Sequence, residues 1–382
     1  MVSLIWRVNI ATMLFFTLVQ LVVPLIPWYA KTITGDEVLI GIAVGSISIT
    51  AILLRPLSGI ASDRWSRSGL MILGLLLASF AYFNLFYAGD MLHVTIARLI
   101  EGTGVAAFVP SSIASAVDQA PEGKLGETLG WRSLMIGIGF LVGPSVGGPL
   151  AYVLGFRATF MISSFLLISL IPLVIFKGAD RKPSREGSSI AGLKEGNFII
   201  AFIALIIYAL AWMGLYTFLV IYLSDAHYQI YEITIWVAIQ AVFSLALRVV
   251  AGKAADKRPA MMAYAGLLTM SLALMIVFLT RFPPYFYIAA PIYGIGIGTY
   301  VPGSQTLALM KCPARNRGLL ASVYTMGLDI GTLVGPISFA LILQATNDYS
   351  YLFFLAPVLM LVSAIVVMVA TTVLRRRNNE CL

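Results

Sequence analysis

Three charged side chains, Arg98, Glu101 and Asp329, interrupt stretches of sequence that are otherwise apolar. Desolvation disfavours an ionised carboxyl group, and a neighbouring guanidinium favours it. A carboxyl poised between these two influences can take up and release a proton as its surroundings change. Arg98 and Glu101 stand three residues apart, so on a helix they share a face and can pair. Charged residues inside membrane spans are costly and mark ion and substrate pathways. Two readings stay open for this pair: a proton site in which Arg98 tunes Glu101, or a static ion pair. Asp329 divides in the same way, between proton carriage and a structural role such as capping a local kink.

These charges stand out because the chain has so few. Of 382 residues, 60% are hydrophobic and 11% charged, against roughly 45–50% and about 25% in soluble domains. The mean hydropathy is +0.94. Such values exclude a soluble globular domain, a disordered chain, a coiled coil and a secreted disulfide scaffold. The net charge of +8 therefore calls for a membrane explanation rather than a nucleic acid. Cys312 and Cys381 allow one disulfide at most.

Twelve apolar runs position the charged residues, at about 5–29, 37–57, 69–88, 91–117, 127–150, 157–176, 198–223, 230–250, 260–280, 285–310, 319–344 and 351–374. A run this long must satisfy its own backbone hydrogen bonds in lipid, which a helix does. The short alternating segments of a barrel are absent. The expected fold class is an all-α polytopic membrane protein with twelve transmembrane helices. The first run carries Pro24 and Pro27 and precedes eleven others, so it reads as an uncleaved helix rather than a signal peptide. With the N-terminus taken as cytoplasmic, all Lys and Arg residues except Lys31, Arg98, Arg157 and Arg281 fall on inside segments. That asymmetry predicts both termini in the cytoplasm, of a prokaryotic cell membrane. The polar stretch from Lys177 to Asn197 predicts an N-terminal six-helix bundle over 1–176, a cytoplasmic linker over 177–197 and a C-terminal bundle over 198–382.

The halves repeat one another. Gly102-Thr103-Gly104 with Val109-Pro110 recurs as Gly294-Ile295-Gly296 with Val301-Pro302, and Gly139 with Gly143-Pro144 recurs as Gly331 with Gly335-Pro336. Gly59 and Asp63-Arg64 recur as Gly252 and Asp256-Lys257. Duplicating an even number of spans keeps the topology of each half, giving parallel repeats about the membrane normal. Arg98, Glu101 and Asp329 face Ala290, Tyr293 and Gly137 in the repeat. Charges that break the duplication suggest function layered on a shared scaffold.

Two further patterns carry chemistry. The segment Gly59-Ile-Ala-Ser-Asp63-Arg64-Trp-Ser66-Arg67 places a close-approach glycine beside charges that can form a breakable network, with Asp118 as a partner for Arg67. Ordinary positive-inside charges are the alternative. Span five carries Gly139, Gly143, Pro144, Gly147 and Gly148. Small residues every four positions allow close helix packing, and proline bends a helix. A sealed interface and a generic packing helix both account for this.

Together these residues resemble the major facilitator superfamily over essentially the whole chain. Residues 59–67 are similar to its signature loop, with Ser66 in place of a second glycine. The stretch from Arg98 to Ala107 is similar to its second motif, with Glu101 in place of the commoner glutamine. Span five is similar to the motif of its proton-coupled exporters. The resemblance implies the major facilitator fold of two parallel six-helix repeats, and a secondary active transporter working by alternating access. It implies efflux of a small organic solute or drug in exchange for protons, with proton-coupled uptake as the alternative and a non-transporting sensor as a more distant one. Glu101 and Asp329, with Arg98, would couple protons. Gly59, Asp63, Arg64, Arg67, Asp118 and Asp256 would form a cytoplasmic gate. Unlike many drug exporters in the family, span one has no acidic residue, only Asn9 and Gln20.

Aromatic residues Trp28, Tyr29, Tyr208, Trp212, Tyr216, Tyr293 and Tyr300 are candidates to line a central cavity, which would suit lipophilic or cationic solutes. Packing and interfacial belts also use such residues. There is no G-x-x-x-x-G-K-[ST] phosphate loop, and Gly294-Ile-Gly296-Ile-Gly298 lacks the strand–helix context of a dinucleotide site. The only two histidines, His93 and His227, are far apart in sequence and argue against a metal centre. The expectation is therefore no enzyme activity, no cofactor beyond a proton gradient and no metal. The expected partners are a small-molecule solute and the lipid bilayer, without nucleic acid, and the chain is expected to be a monomer.

Overall fold

The computed structural model describes residues 4–34, 36–175, 190–225, 230–280, 285–312 and 316–379. Among these, every regular element is helical. In order they are α1 (Leu4–Val22), α2 (Leu25–Ile33), α3 (Glu37–Arg64), α4 (Arg67–Tyr87), α5 (Met91–Asp118), α6 (Leu125–Leu154), α7 (Phe156–Ser169) and α8 (Ile171–Val174). A 3-10 turn at Ile190–Lys194 precedes α9 (Gly196–Asp225), α10 (Ile230–Lys257), α11 (Pro259–Thr280), α12 (Tyr285–Leu309), α13 (Arg317–Thr346) and α14 (Ser350–Asn379). Eleven helical stretches among the described residues are long and apolar enough to cross a membrane, α1 with α2 and α7 with α8 each counting once. The remaining expected span corresponds to α12. Residues 177–189 of the expected linker lie outside the described residues, as do His227, Arg281 and Cys381.

Local chemistry explains the breaks. Pro24 has no N–H to offer, and the chain steps from α1 to α2 around it. Pro172 opens α8 in the first-turn position where a missing N–H costs nothing. Ser66, the departure from the signature loop, is a helix cap, its hydroxyl accepting from the Gly69 N–H of α4 at 2.8 Å. Asp90 caps α5 through the His93 N–H at 2.9 Å.

The chain forms two compact units. Unit 1 comprises Met1–Ala120, Leu134–Ser189 and Pro313–Met326; unit 2 comprises Pro121–Ser133, Ile190–Cys312 and Gly327–Leu382. Thus α6 and α13 are each divided between the units. Inside each unit the duplication is visible as matching glycine contacts. A methyl group at Gly74 would stand 2.7 Å from the Gly104 carbonyl oxygen, and one at Gly266 would stand 2.7 Å from that of Gly296. Gly102 lies against the Ile47 carbonyl as Gly294 lies against the Gln240 carbonyl. Interiors of this kind leave no room for a side chain, which is how small residues bring helices together in lipid.

Span five obeys the same rule only in part. Gly139, Gly143 and Gly147 are buried against α1, at the carbonyls of Met13, Thr17 and Leu21, with added methyls at Gly139 and Gly143 coming to 2.9 and 2.6 Å. Gly148 and Pro144 are exposed, and an added methyl at Gly148 meets nothing within 4 Å. The four-residue period selects one face of the helix, and these two residues fall off it. The packing seam is therefore Gly139-Gly143-Gly147. Gly143→Leu is expected to lower stability by about 1–3 kcal/mol through overpacking, whereas Gly148→Leu leaves it unchanged. Thermal unfolding of the two variants in detergent would separate these outcomes.

Candidate functional site

In unit 1 the signature-loop charges meet the start of α13. A long helix presents unpaired N–H groups at its first turn, and a carboxylate there is stabilised both by hydrogen bonds and by the helix dipole. Asp63, in the last turn of α3, occupies that position and accepts from the N–H groups of Gly318 and Leu319, each at 2.8 Å. Gly59, one turn earlier, allows the approach: a methyl group there would stand 2.7 Å from the Gly318 carbonyl oxygen. Arg67 donates to Asp63 at 2.5 Å, to Asp118 at 3.2 Å and to the Ser62 hydroxyl at 3.1 Å. Arg317, the first residue of α13, donates to Asp118 at 2.8 Å. The contacts therefore form a ring that leaves α13 at its backbone, passes through Asp63, Arg67 and Asp118, and returns through Arg317. Arg64 is exposed and stands outside the ring.

Asp256 makes the repeat-related contact in unit 2. It accepts from the N–H groups of Gly126 at 2.5 Å and Glu127 at 3.1 Å, at the start of α6. Lys253 approaches Glu127 at 3.4 Å. The arginine–aspartate ring is missing here because the counterparts of Arg67, Asp118 and Arg317 are Ala260, Met310 and Leu125. One copy is a reinforced clasp and the other is a bare helix cap.

A second pair of residues extends both clasps, although along the chain they count only as topology charges. Arg55 precedes Asp63 by eight residues and Arg248 precedes Asp256 by eight, with Gly59 and Gly252 midway. Steps of four keep all three residues on one helix face. Arg55 donates to the Thr325 hydroxyl at 2.8 Å, and Arg248 donates to the Ser133 carbonyl. Ser133 and Thr325 are themselves repeat-related, so the pattern Arg-x-x-x-Gly-x-x-x-Asp grips corresponding turns of α6 and α13. The offset that pairs Asp63 with Asp256 is the sequence signal that points to these arginines.

The intramembrane pair also belongs to unit 1. Arg98 and Glu101 are buried at 2% and 0% exposure and form an ion pair on α5. The second Glu101 oxygen accepts from the Tyr82 hydroxyl of α4 at 3.0 Å. Both carboxylate oxygens are therefore engaged within unit 1. No sequence pattern marks Tyr82, because its approach depends on how α4 packs on α5. Asp329 lies half-buried in the part of α13 that belongs to unit 2.

The aromatic candidates separate. Tyr29 is a packing residue in unit 1: its hydroxyl donates to the Ala88 carbonyl, and its ring meets Phe160 edge-on at 5.2 Å. Arg157 reaches the same carbonyl at 3.3 Å, closing the C-terminal end of α4. Trp28 is 71% exposed. In unit 2, Tyr208 meets Tyr300 at 4.7 Å, Trp212 meets Tyr216 at 5.0 Å, and Trp212 stacks on Tyr293 at 5.5 Å. Tyr216 is the least buried of these five, at 39% exposure. His93 is exposed and pairs with Asp90, whose carboxyl is held below its usual range by the His93 backbone N–H and then by the imidazole. No group of three or more His, Cys, Asp and Glu residues suited to a metal occurs among the described residues.

The two arginine contacts differ in a testable way, because one acceptor is a side chain and the other is backbone. Thr325→Val is expected to speed amide hydrogen exchange in the first turns of α13 by roughly tenfold or more, the worth of a hydrogen bond to a charged group. Thr325→Ser restores protection, and Ser133→Ala leaves the first turns of α6 unchanged. Exchange mass spectrometry on the three variants reads the difference directly.

A family model described as Major Facilitator Superfamily matches residues 8–279 and 201–380. An uncharacterised MFS-type transporter of Methanocaldococcus jannaschii is 25% identical over 366 residues, covering 92% of this chain and 94% of that protein. Multidrug resistance protein 1 of Bacillus subtilis is 25% identical over 348 residues, covering 88% of each chain. Among solved structures, the major facilitator transporter FucP in its outward conformation superposes with a TM-score of 0.79 at 13% identity, covering 97% of this chain and 99% of that one.

Proposed function

Because the chain belongs to the major facilitator superfamily, whose members are membrane transporters and not enzymes, we propose that it exports a small organic solute in exchange for protons by alternating access. The observation that carries this reading is the buried Arg98–Glu101–Tyr82 cluster. A carboxylate fully withdrawn from water is tolerable when paired, and neutralising it frees Arg98 and Tyr82 to move. Glu101 is thus a proton carrier whose protonation changes the packing of α4 on α5. Asp329, in the other unit, is the second carrier. The close seam of Gly139, Gly143 and Gly147 on α1 supports a tightly sealed exchange. Similarity to a multidrug resistance protein of Bacillus subtilis supports efflux over uptake.

The excess of Lys and Arg on one side supports cytoplasmic termini, which puts the Asp63 and Asp256 contacts at the cytoplasmic face. There they hold the first turns of α13 and α6 in one state and release them in the other. Carboxylate-to-backbone contacts suit this role: each is strong while formed, and each carboxylate can be rehydrated at the aqueous surface once released.

Reconstitution in vesicles of known orientation tests the proposal. With a panel of lipophilic anions and cations, an imposed proton gradient is expected to drive solute in the direction opposite to proton flow. Glu101→Gln and Asp329→Asn are expected to reduce accumulation to the level seen without a gradient, while exchange of solute for solute persists. Gradient-driven flux unchanged in both variants would show that neither carboxyl couples transport, and solute moving with the protons would reverse the direction.

A further inference from the structure

Unit 2 contains a row of side chains on one helix face, several of whose buried polar atoms have no hydrogen-bond partner. Trp236, Gln240, Ser244 and Arg248 follow one another every four residues on α10 and so share a face. Gln240 Oε1, Ser244 Oγ and Arg248 Nε are buried without a hydrogen-bond partner, as is the Tyr293 hydroxyl on α12. Gln240, Ser244 and Tyr293 are 7%, 3% and 0% exposed. Buried polar groups are ordinarily paired, and an unpaired one forfeits its hydration with no return.

The duplication provides an internal control. In unit 1 the residues of α3 corresponding to Trp236, Gln240 and Ser244 are Ala43, Ile47 and Ala51, while Arg248 recurs as Arg55. Gly102 packs on the Ile47 carbonyl in the way that Gly294 packs on the Gln240 carbonyl. The same helix contact is therefore made with apolar side chains, and packing does not require the polarity of Gln240 or Ser244. The position equivalent to Tyr293 is Glu101, whose oxygens are both satisfied inside unit 1. Unit 2 keeps a free hydroxyl at that point.

Charge decides what kind of ligand fits. Arg248 spends one nitrogen on the Ser133 carbonyl, and among the described residues no carboxylate lies within ion-pair distance of it. Asp256, two turns along the helix, is engaged by the N–H groups of Gly126 and Glu127. Arg248 is half-buried with its Nε withdrawn from water, and a guanidinium held there without a counter-ion is costly in a membrane protein. Trp212 stacks on Tyr293 at 5.5 Å, and Trp236 lies 5.8 Å from the same ring. An apolar cavity adjoins Trp212 and Trp236.

We infer that this face of unit 2 is the solute site and that the solute is an aromatic organic anion. Its ring lies against Trp212 and Trp236, its acidic group meets Arg248 and Ser244, and its remaining polar edge meets Gln240 and Tyr293. This assigns a substrate class to the transport reading on which it rests. It also reverses the cationic preference expected from the aromatic residues alone, because the full charge beside them is positive.

The test uses the full chain in detergent and three probes with one ring system: 2-naphthoate, 2-naphthamide and 2-naphthylmethylammonium. Calorimetric titration is expected to find naphthoate bound roughly tenfold or more tightly than the amide, and the ammonium weakest. Arg248→Met is expected to equalise naphthoate and amide, and Arg248→Lys to keep the anion preferred. Gln240→Ile with Ser244→Ala installs the side chains found in the other half, preserves folding and weakens all three probes. Ammonium binding at least as tight as naphthoate, an anion preference surviving Arg248→Met, or no binding of any probe by folded protein would each overturn the assignment. Binding needs no proton gradient, so this result and the flux result fail separately.

Discussion

The first turn of a helix carries N–H groups that need acceptors, and the ring of charges around α13 depends on what supplies them. Asp63 does so from the end of α3, and only because Gly59 lets the two backbones come together. The turn of α13 that this carboxylate caps belongs to unit 1. Arg67, Asp118 and Arg317 then neutralise and brace the contact, and Arg55 repeats the grip farther along the helix. Remove the acceptor, and these surrounding charges lose the group they are arranged to hold.

Duplication explains both the likeness and the difference between the halves. Glycine contacts, helix caps and the arginine eight residues before each cap recur, since they solve the backbone problem that each half shares. The polar side chains that packing does not require, Arg98, Glu101, Gln240 and Ser244, do not recur. Unit 1 has both Glu101 oxygens engaged, by Arg98 and by Tyr82, whereas unit 2 has polar atoms of Tyr293, Gln240 and Ser244 without hydrogen-bond partners. One half holds a self-contained ionisable cluster, and the other holds hydrogen-bonding capacity for something outside the chain.

Several details are illegible along the chain, each for a definite reason. Gly148 and Pro144 sit in the right motif but on the wrong face of α6, a matter of helix rotation. Tyr29 has the character of a cavity aromatic, yet its hydroxyl is committed to the Ala88 carbonyl at the end of another helix. Arg55 and Arg248 are hidden among topology charges, because a positive residue near a membrane boundary has a sufficient explanation before any contact is known. Ser66 reads as a loss from the signature loop and is in fact the cap of α4.

By itself the sequence determined the helical class, the number of apolar runs, the duplication and the few charges embedded among them. Those properties follow from composition and from local periodicity, which lipid enforces one segment at a time. Tertiary structure alone decided which atoms meet: that Asp63 caps α13, that Tyr82 completes the Glu101 cluster, and that half-buried Arg248 has no carboxylate within ion-pair distance among the described residues. Such contacts depend on the rotation and approach of helices far apart in sequence, set by close-packed glycine seams whose partners no local pattern names.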